Sequence, residues 1–399
     1  MSHNYLEICR QVLEAAKQRD YTGYSKFDAL NSPLLHTLSC NNKWLRLIWT
    51  QAVKECPWHV RPLLGVKTSR NPKGIALFAR AYLHLFTHTG QADHLNEAIG
   101  LIDWLLAHPS PDQSHLSWGY NYIWQSPIFL QDAFEPNAVV TVFVGEALMH
   151  AYRVTHNEKY LAAAQSAGQF LLEDLPVLHE EEDERASAYV LRPVGAIVLN
   201  NQVLIGAFLI KLWTQTREQA IFDTVIKMYN YTVNRRTPYA AWFYTYPKGK
   251  SPIRHDNYHT GGILDALLEF YEATQDDRYM PVYWDGLSYY AAHLFEDDGA
   301  PRWMNDRRYP YDIHGAAQGI ISFTKASRHK LEFEEQAKKI AAWTIANLYQ
   351  PRTSAFVYRR SRFLTWNYSL MRWCNGWMTR ALGALMTASK SDVRQETYL

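Results

Sequence analysis

Cysteine is scarce in this chain of 399 residues: Cys9, Cys40, Cys56 and Cys374 are the only four, and no CxxC spacing occurs. That argues against a disulfide framework and a thiolate metal knuckle, and leaves buried, reduced thiols in a cytoplasmic protein as the expectation. No run of eighteen apolar residues exists, so no transmembrane helix is predicted. Residues 1–19 read as an amphipathic helix (Leu6, Ile8, Cys9, Val12, Leu13) without the continuous apolar segment of a secretory signal. Excess charge is missing too. Lys and Arg number 41 against 39 Asp and Glu, a net of +2, which disfavours nucleic acid as a partner. Neither GxGxxG nor a Walker phosphate loop is present, so nucleotide chemistry has no motif. No Gly/Ser-rich or Pro-rich linker interrupts the chain, and 1–399 reads as one domain.

What is abundant is aromatic side chains, 14 Trp and 26 Tyr, and a repeat. Five times an apolar helical run, a tight turn and a second helical run recur, at intervals of roughly 55 to 65 residues. The turns include Thr87-His88-Thr89-Gly90, Thr155-His156-Asn157, Thr214-Gln215-Thr216 and Thr274-Gln275-Asp276. The pattern predicts helix pairs at 72–88 with 92–107, 138–155 with 157–174, 199–214 with 217–234, 258–274 with 277–295, and 313–327 with 331–349. A last helix at 368–389 takes one of two N-terminal segments, 4–18 or 43–55, as its partner. The first helix of each pair is apolar nearly all round and is the inner one; the second has a charged face. Six hairpins closed in a ring make an all-α fold, the (α/α)6 barrel.

The loops entering the inner helices are long (108–137, 175–198, 235–257, 296–312, 350–367), and long loops in a compact fold are usually functional. They hold Trp118, Tyr120, Trp124 and Tyr244, whose rings suit stacking on sugars, and Asn121, whose amide offers a polar contact for substrate binding. One differs: the run His179-Glu180-Glu181-Glu182-Asp183-Glu184 reads as a solvated loop, not a metal site. Polar groups collect where inner helices start: Glu135, Asn137, Asn200, Asn201, Asp256, Tyr258, His259, Tyr311, Asp312, His314, and Arg372. Asn and Asp there also serve as N-caps. With Arg254 nearby, the set offers proton-transfer groups and guanidinium groups that grip a carboxylate.

Several segments resemble a bacterial family associated with surface-polysaccharide biosynthesis, within the six-hairpin glycosidase-like superfamily. They are Pro72-Lys73-Gly74-Ile75-Ala76-Leu77-Phe78, Trp118-Gly119-Tyr120-Asn121-Tyr122-Ile123-Trp124-Gln125, Asp256-Asn257-Tyr258-His259-Thr260-Gly261 and Tyr309-Pro310-Tyr311-Asp312-Ile313-His314. Some members of that family carry a delta-aminolevulinic acid dehydratase label. The label implies a zinc or Schiff-base enzyme on another fold, which nothing in the sequence supports. The Tyr258-His259-Thr260 segment is also similar to the C-terminal toroid of glucuronyl C5-epimerases. Cys374-Asn375-Gly376 and His314-Gly315 are similar to pairs in lanthionine cyclases, but the Cys-His ligand pair of those zinc toroids is missing. No cofactor and no metal ligand are assigned.

The leading expectation is an enzyme acting on an acidic, uronate-containing oligo- or polysaccharide by C5 proton abstraction. His259 and Tyr258 stand on one side, Tyr311 and His314 on the other, and Arg254 with Arg372 on the carboxylate. The alternative is glycoside hydrolysis by two carboxylates, Asp256 and Asp312, with Glu135 in reserve. A lyase shares the first proton abstraction. A non-catalytic scaffold would bind glycan, or organise glycosyltransferases as partners, without turnover.

Overall fold

The computed structural model describes residues 5–193 and 195–388; the predicted helix edges at 4 and 389 lie outside them. Fourteen α-helices lie among these residues: α1 (Tyr5–Lys17), α2 (Pro33–Leu38), α3 (Lys43–Glu55), α4 (Pro72–Thr89), α5 (Ala92–Ala107), α6 (Ala138–Thr155), α7 (Glu158–Gln169), α8 (Leu199–Thr216), α9 (Gln219–Val233), α10 (Asn257–Thr274), α11 (Met280–His293), α12 (Ile313–Ala326), α13 (Glu332–Leu348) and α14 (Trp377–Ala388). The six inner helices α4, α6, α8, α10, α12 and α14 each pack on the next, and α14 returns to α4, so the ring closes. α1 is the outer partner of α14; its buried Cys9 Sγ lies 3.7 Å from the Thr379 carbonyl. The fold is the (α/α)6 toroid.

The recurring threonines explain the short turns. α4, α6, α8 and α10 each end in Thr followed by a left-handed residue: Gly90, His156, Arg217 and Gln275, with φ of 70°, 54°, 58° and 61°. The hydroxyl of Thr89, Thr155, Thr216 or Thr274 accepts the N–H two residues on, at 3.1–3.4 Å. The side chain thereby ties down the first N–H beyond the left-handed residue, where the chain has already left the helix and its N–H no longer points back along the helix axis. Inner helices also need small residues at crossings. A Cβ on Gly261 would lie 2.5 Å from Gln318 Cγ and 2.7 Å from the Tyr290 hydroxyl, so α10, α11 and α12 approach this closely only around glycine.

Two predicted elements shift. The last helix does not start at 368: Tyr368 stacks on His59 at 5.1 Å, Leu370 is extended, and a wide π-type turn over Met371–Gly376 precedes α14. The acidic run is half strand, half turn: Val177–Glu180 pairs antiparallel with Arg185–Ser187, and Glu180 and Glu184 reach Lys227 and Arg235. Among the described residues no helix is long and apolar enough to cross a membrane.

Candidate functional site

The long connections into the inner helices meet at one end of the ring, joined by the segment between α1 and α4. That segment is clipped down by a buried ion pair, Arg61 Nε to Asp28 Oδ1 at 2.7 Å, with Arg61 also donating to the Lys26 carbonyl at 3.3 Å. The clip sets Phe27 against Trp124 (rings stacked, 5.0 Å). Beneath them lies a cavity with about 120 Å³ of water-sized space. Aromatic walls come from Tyr120, Trp124, Tyr189, Tyr244, Tyr258 and Trp373, and polar groups from Lys73, Asn200, His259, His314, Gln318 and Arg372.

The N-terminus of α10 carries the best-organised pair. Asp256 occupies the N-cap position yet makes no side-chain cap. Its carboxylate instead faces His259 Nδ1 one turn on, at 2.9 Å from Oδ1 and 2.8 Å from Oδ2. Asp256 is buried, so the interaction is poorly screened, and it commits Nδ1 to carry the proton and leaves Nε2 as the basic atom. Tyr244 and Tyr258 flank the imidazole with centroids 4.3 Å away on each side.

Tyr258 in turn stacks on His314 at 4.3 Å and 11°, and Trp377 closes the other side of His314 at 4.1 Å. Burial, with Lys73, Lys26 and Arg372 nearby, holds His314 well below the ordinary imidazole range, so this ring is neutral at physiological pH. Its Nδ1 has no hydrogen-bond partner. Burial likewise holds the Tyr258 phenol well above its usual range, with Asp256 and Asp312 adding to it.

Two cations complete the floor. Lys73, in the first turn of α4, is buried with its ammonium 3.8 Å from the Phe143 ring centre, and burial plus Arg372 push its pKa well down. Arg372, on the π-type turn, is buried, reaches the Tyr122 hydroxyl at 3.4 Å and leaves Nε unpartnered. Neither cation has a carboxylate partner among the described residues, and none of the side chains lining the cavity is Asp or Glu.

The predicted site residues therefore divide. Tyr120, Trp124, Asn200, Tyr244, Tyr258, His259, His314 and Arg372 line the cavity, with Asp256 directly behind His259. The others do not reach it. Asp312 caps α12 through the His314 N–H (3.0 Å), accepts the Trp373 indole N–H (2.7 Å) and pairs with buried Lys26 (3.3 Å). Tyr311 packs against Trp343 and Tyr309 on the outer side, because the pleat of its strand turns consecutive residues to opposite faces. Arg254 is largely exposed and pairs with Asp306. Trp118 is sealed in the core, its indole donating to the Leu105 carbonyl. Asn121 ties Ser69 to Asn71, and Asn201 donates to the carbonyls of Ser187 and Ala188. Glu135 pairs with Arg192 near the surface.

Sequence reasoning missed Lys73, Phe27, Tyr189, Gln318, Trp373 and Trp377. Lys73 carried a signal, a lysine inside the apolar run Pro72–Phe78 that a core helix does not otherwise tolerate. Among the described residues no group of three His, Cys, Asp or Glu side chains is placed to hold a metal ion.

No protein-family model matches the chain, and no curated protein is found similar to it in sequence. Solved structures are similar in fold. The cellobiose 2-epimerase of Bacillus thermoamylovorans superposes with a TM-score of 0.63 at 10% identity, covering 82% of this chain and 90% of that one. A GH76 alpha-mannanase of Bacteroides thetaiotaomicron gives 0.61 at 17% identity, covering 81% and 86%. An unsaturated glucuronyl hydrolase specific for heparin gives 0.59 at 13% identity, covering 84% and 90%. These likenesses define the class, the six-hairpin toroid.

Proposed function

We propose that this chain is a carbohydrate-active enzyme of surface-polysaccharide metabolism that moves the proton next to the carboxylate of an acidic sugar unit, the chemistry of a uronate epimerase. The observation that carries the reading is the pair of buried basic side chains, Lys73 and Arg372, opening on an aromatic-walled cavity with no carboxylate beside them. Arg372 keeps its charge without a counter-charge, which is costly, and a ligand carboxylate both relieves that cost and favours the protonated form of Lys73 that burial disfavours.

His259 Nε2, with Nδ1 held by Asp256, takes the proton from C5. The C–H electron pair moves toward the carboxylate, whose gathering negative charge Lys73 and Arg372 stabilise. A proton returned to the opposite face of C5 inverts it. In this reading His314, held neutral across Tyr258, donates an N–H hydrogen bond to the enolate-like oxygen; the proton reaching the opposite face comes from a water, and the hydroxide left behind takes back the proton held on His259. Hydrolysis by Asp256 and Asp312 is disfavoured because Asp312 is committed to capping α12 and to Lys26.

The test is incubation with glucuronate- and mannuronate-containing oligosaccharides in D2O, followed by proton NMR. Loss of the H5 signal at unchanged chain length is expected. New reducing ends without H5 loss would replace the proposal with hydrolysis.

A further inference from the structure

The near-neutral balance of the chain conceals a basic corner beside the cavity. Between Asp28 and Asp93 the sequence has a single acidic residue, Glu55, and between Glu335 and Asp392 it has none. Folding brings these two stretches together. The Trp366 indole donates to the Glu55 carbonyl (2.9 Å) and Arg359 pairs with the Glu55 carboxylate, which sets the hairpin joining Arg359–Arg360 to Thr365–Trp366 against the end of α3. Lys54 takes the other carboxylate oxygen at 2.9 Å, so Glu55 neutralises nothing further. Lys43 and Arg46 donate to the Pro127 carbonyl (3.0 Å) and the Gln125 side chain (3.4 Å), and Arg360 to Asn347 (2.6 Å). These three, with exposed Lys67 and Arg362, meet no carboxylate among the described residues.

Apolar surface lies bare at the same corner. Thirteen large apolar side chains among the described residues are substantially exposed, and six of them fall between positions 34 and 63: Leu34, Leu38, Trp44, Ile48, Trp58 and Leu63. Phe363 and Leu364, at the hairpin tip, are two more. Of the seven apolar residues of α3 only Val53 is buried, and it belongs to a small satellite core with Ala29 and Leu35 rather than to the ring. Trp44 with Ile48, and Leu34 with Leu38, are each one helical turn apart and so share a face. Trp58, Leu63 and Phe363 are 75%, 87% and 87% exposed. A concentration of this kind marks an interaction surface.

We infer that α2, α3 and the 361–364 hairpin tip are an interfacial anchor that docks the protein on a bilayer carrying anionic lipid headgroups. Tryptophan and leucine side chains enter the headgroup boundary while the Lys and Arg beside them meet lipid phosphates. The apolar groups project singly from two helices, the loop after them and a hairpin tip, and none lines the aromatic-walled cavity, a layout that suits a fluid interface rather than a rigid partner. A second copy of the chain would set the same unpaired cations against one another. The inference is independent of the chemistry proposed above. Because α3 borders the Trp124–Gln125 strand of the cavity wall, docking holds the cavity mouth beside the membrane.

Flotation of the full chain with phosphatidylcholine vesicles containing about one-third phosphatidylglycerol reads the inference. Binding is expected, at least about ten-fold weaker on pure phosphatidylcholine vesicles and reduced by raised salt. Trp44→Ser with Ile48→Ser, and independently Phe363→Ser, should each weaken it several-fold or more with unchanged thermal melts, because these side chains are exposed in the free protein. Leu331→Ser, exposed at the short turn before α13, is the control and should bind like the parent. No vesicle binding, equal binding to both vesicle types, or binding that survives both apolar variants would overturn the inference. Failure to float, accompanied by self-association that is lost in Trp44→Ser with Ile48→Ser, would overturn it in favour of a contact between copies.

Discussion

Replacing Asp256 with Asn tests the proton-transfer reading most sharply, because the substitution keeps shape and removes only charge. Asp256 is buried, spends nothing on capping α10, and meets His259 Nδ1 at 2.8–2.9 Å. A hydrogen bond to an ionised group contributes about 1.5–3 kcal/mol, and an amide oxygen in its place about 0.5–1.5. The variant thus loses about 1–2 kcal/mol of stabilisation for the imidazolium that forms as His259 takes a proton, or roughly five- to thirty-fold in rate. His259→Ala, which removes the base itself, should cost on the order of a hundred-fold or more. The assay is the rate of deuterium entry at C5 of the uronate oligosaccharide by proton NMR, with thermal melts to establish that both variants are folded. Asp256→Asn exchanging within two-fold of the parent, or His259→Ala still exchanging, would refute the argument.

Three further outcomes follow from the geometry. Arg372→Gln should raise KM for the acidic oligosaccharide ten-fold or more while leaving the binding of a neutral analogue nearly unchanged, because the lost contact is charge-assisted; equal losses for both ligands would count against a carboxylate-binding role. Lys26 is fully buried, which pushes its pKa from 10.5 down to about 8 despite Asp312. The unfolded chain therefore holds that proton more tightly, and stability should rise by about 3 kcal/mol between pH 8 and 10.5; denaturant titrations of the parent and Lys26→Met should diverge across that window, and parallel curves would exclude the effect. Gly261→Ala should lower stability by about 1–3 kcal/mol, since its Cβ meets Gln318 and the Tyr290 hydroxyl; calorimetry showing no change would mean α12 shifts freely.

The ring itself was legible in the chain because its causes are local. Helical periodicity, Thr-terminated turns and long aromatic loops repeat in sequence, and each acts within one hairpin. Part of the site was legible for the same reason: Asp256 and His259 are one helical turn apart, so their spacing alone brings them together. Asp312 and His314 look equivalent in sequence but are not. The deciding contact for Asp312 is the ammonium of Lys26, 286 positions away along the chain, and no local rule foresees it. Tyr311 was expected at the cavity and faces outward, while Lys73, from the other end of the repeat, supplies a cation to its floor. Ring closure brings α4 beside α14, so Lys73 and Arg372 meet only in the folded toroid. Sequence thus determines which helices form and what each presents at its start. Which of those groups face one cavity is decided by the packing of six hairpins, because the ring sets the angle at which every helix end points inward.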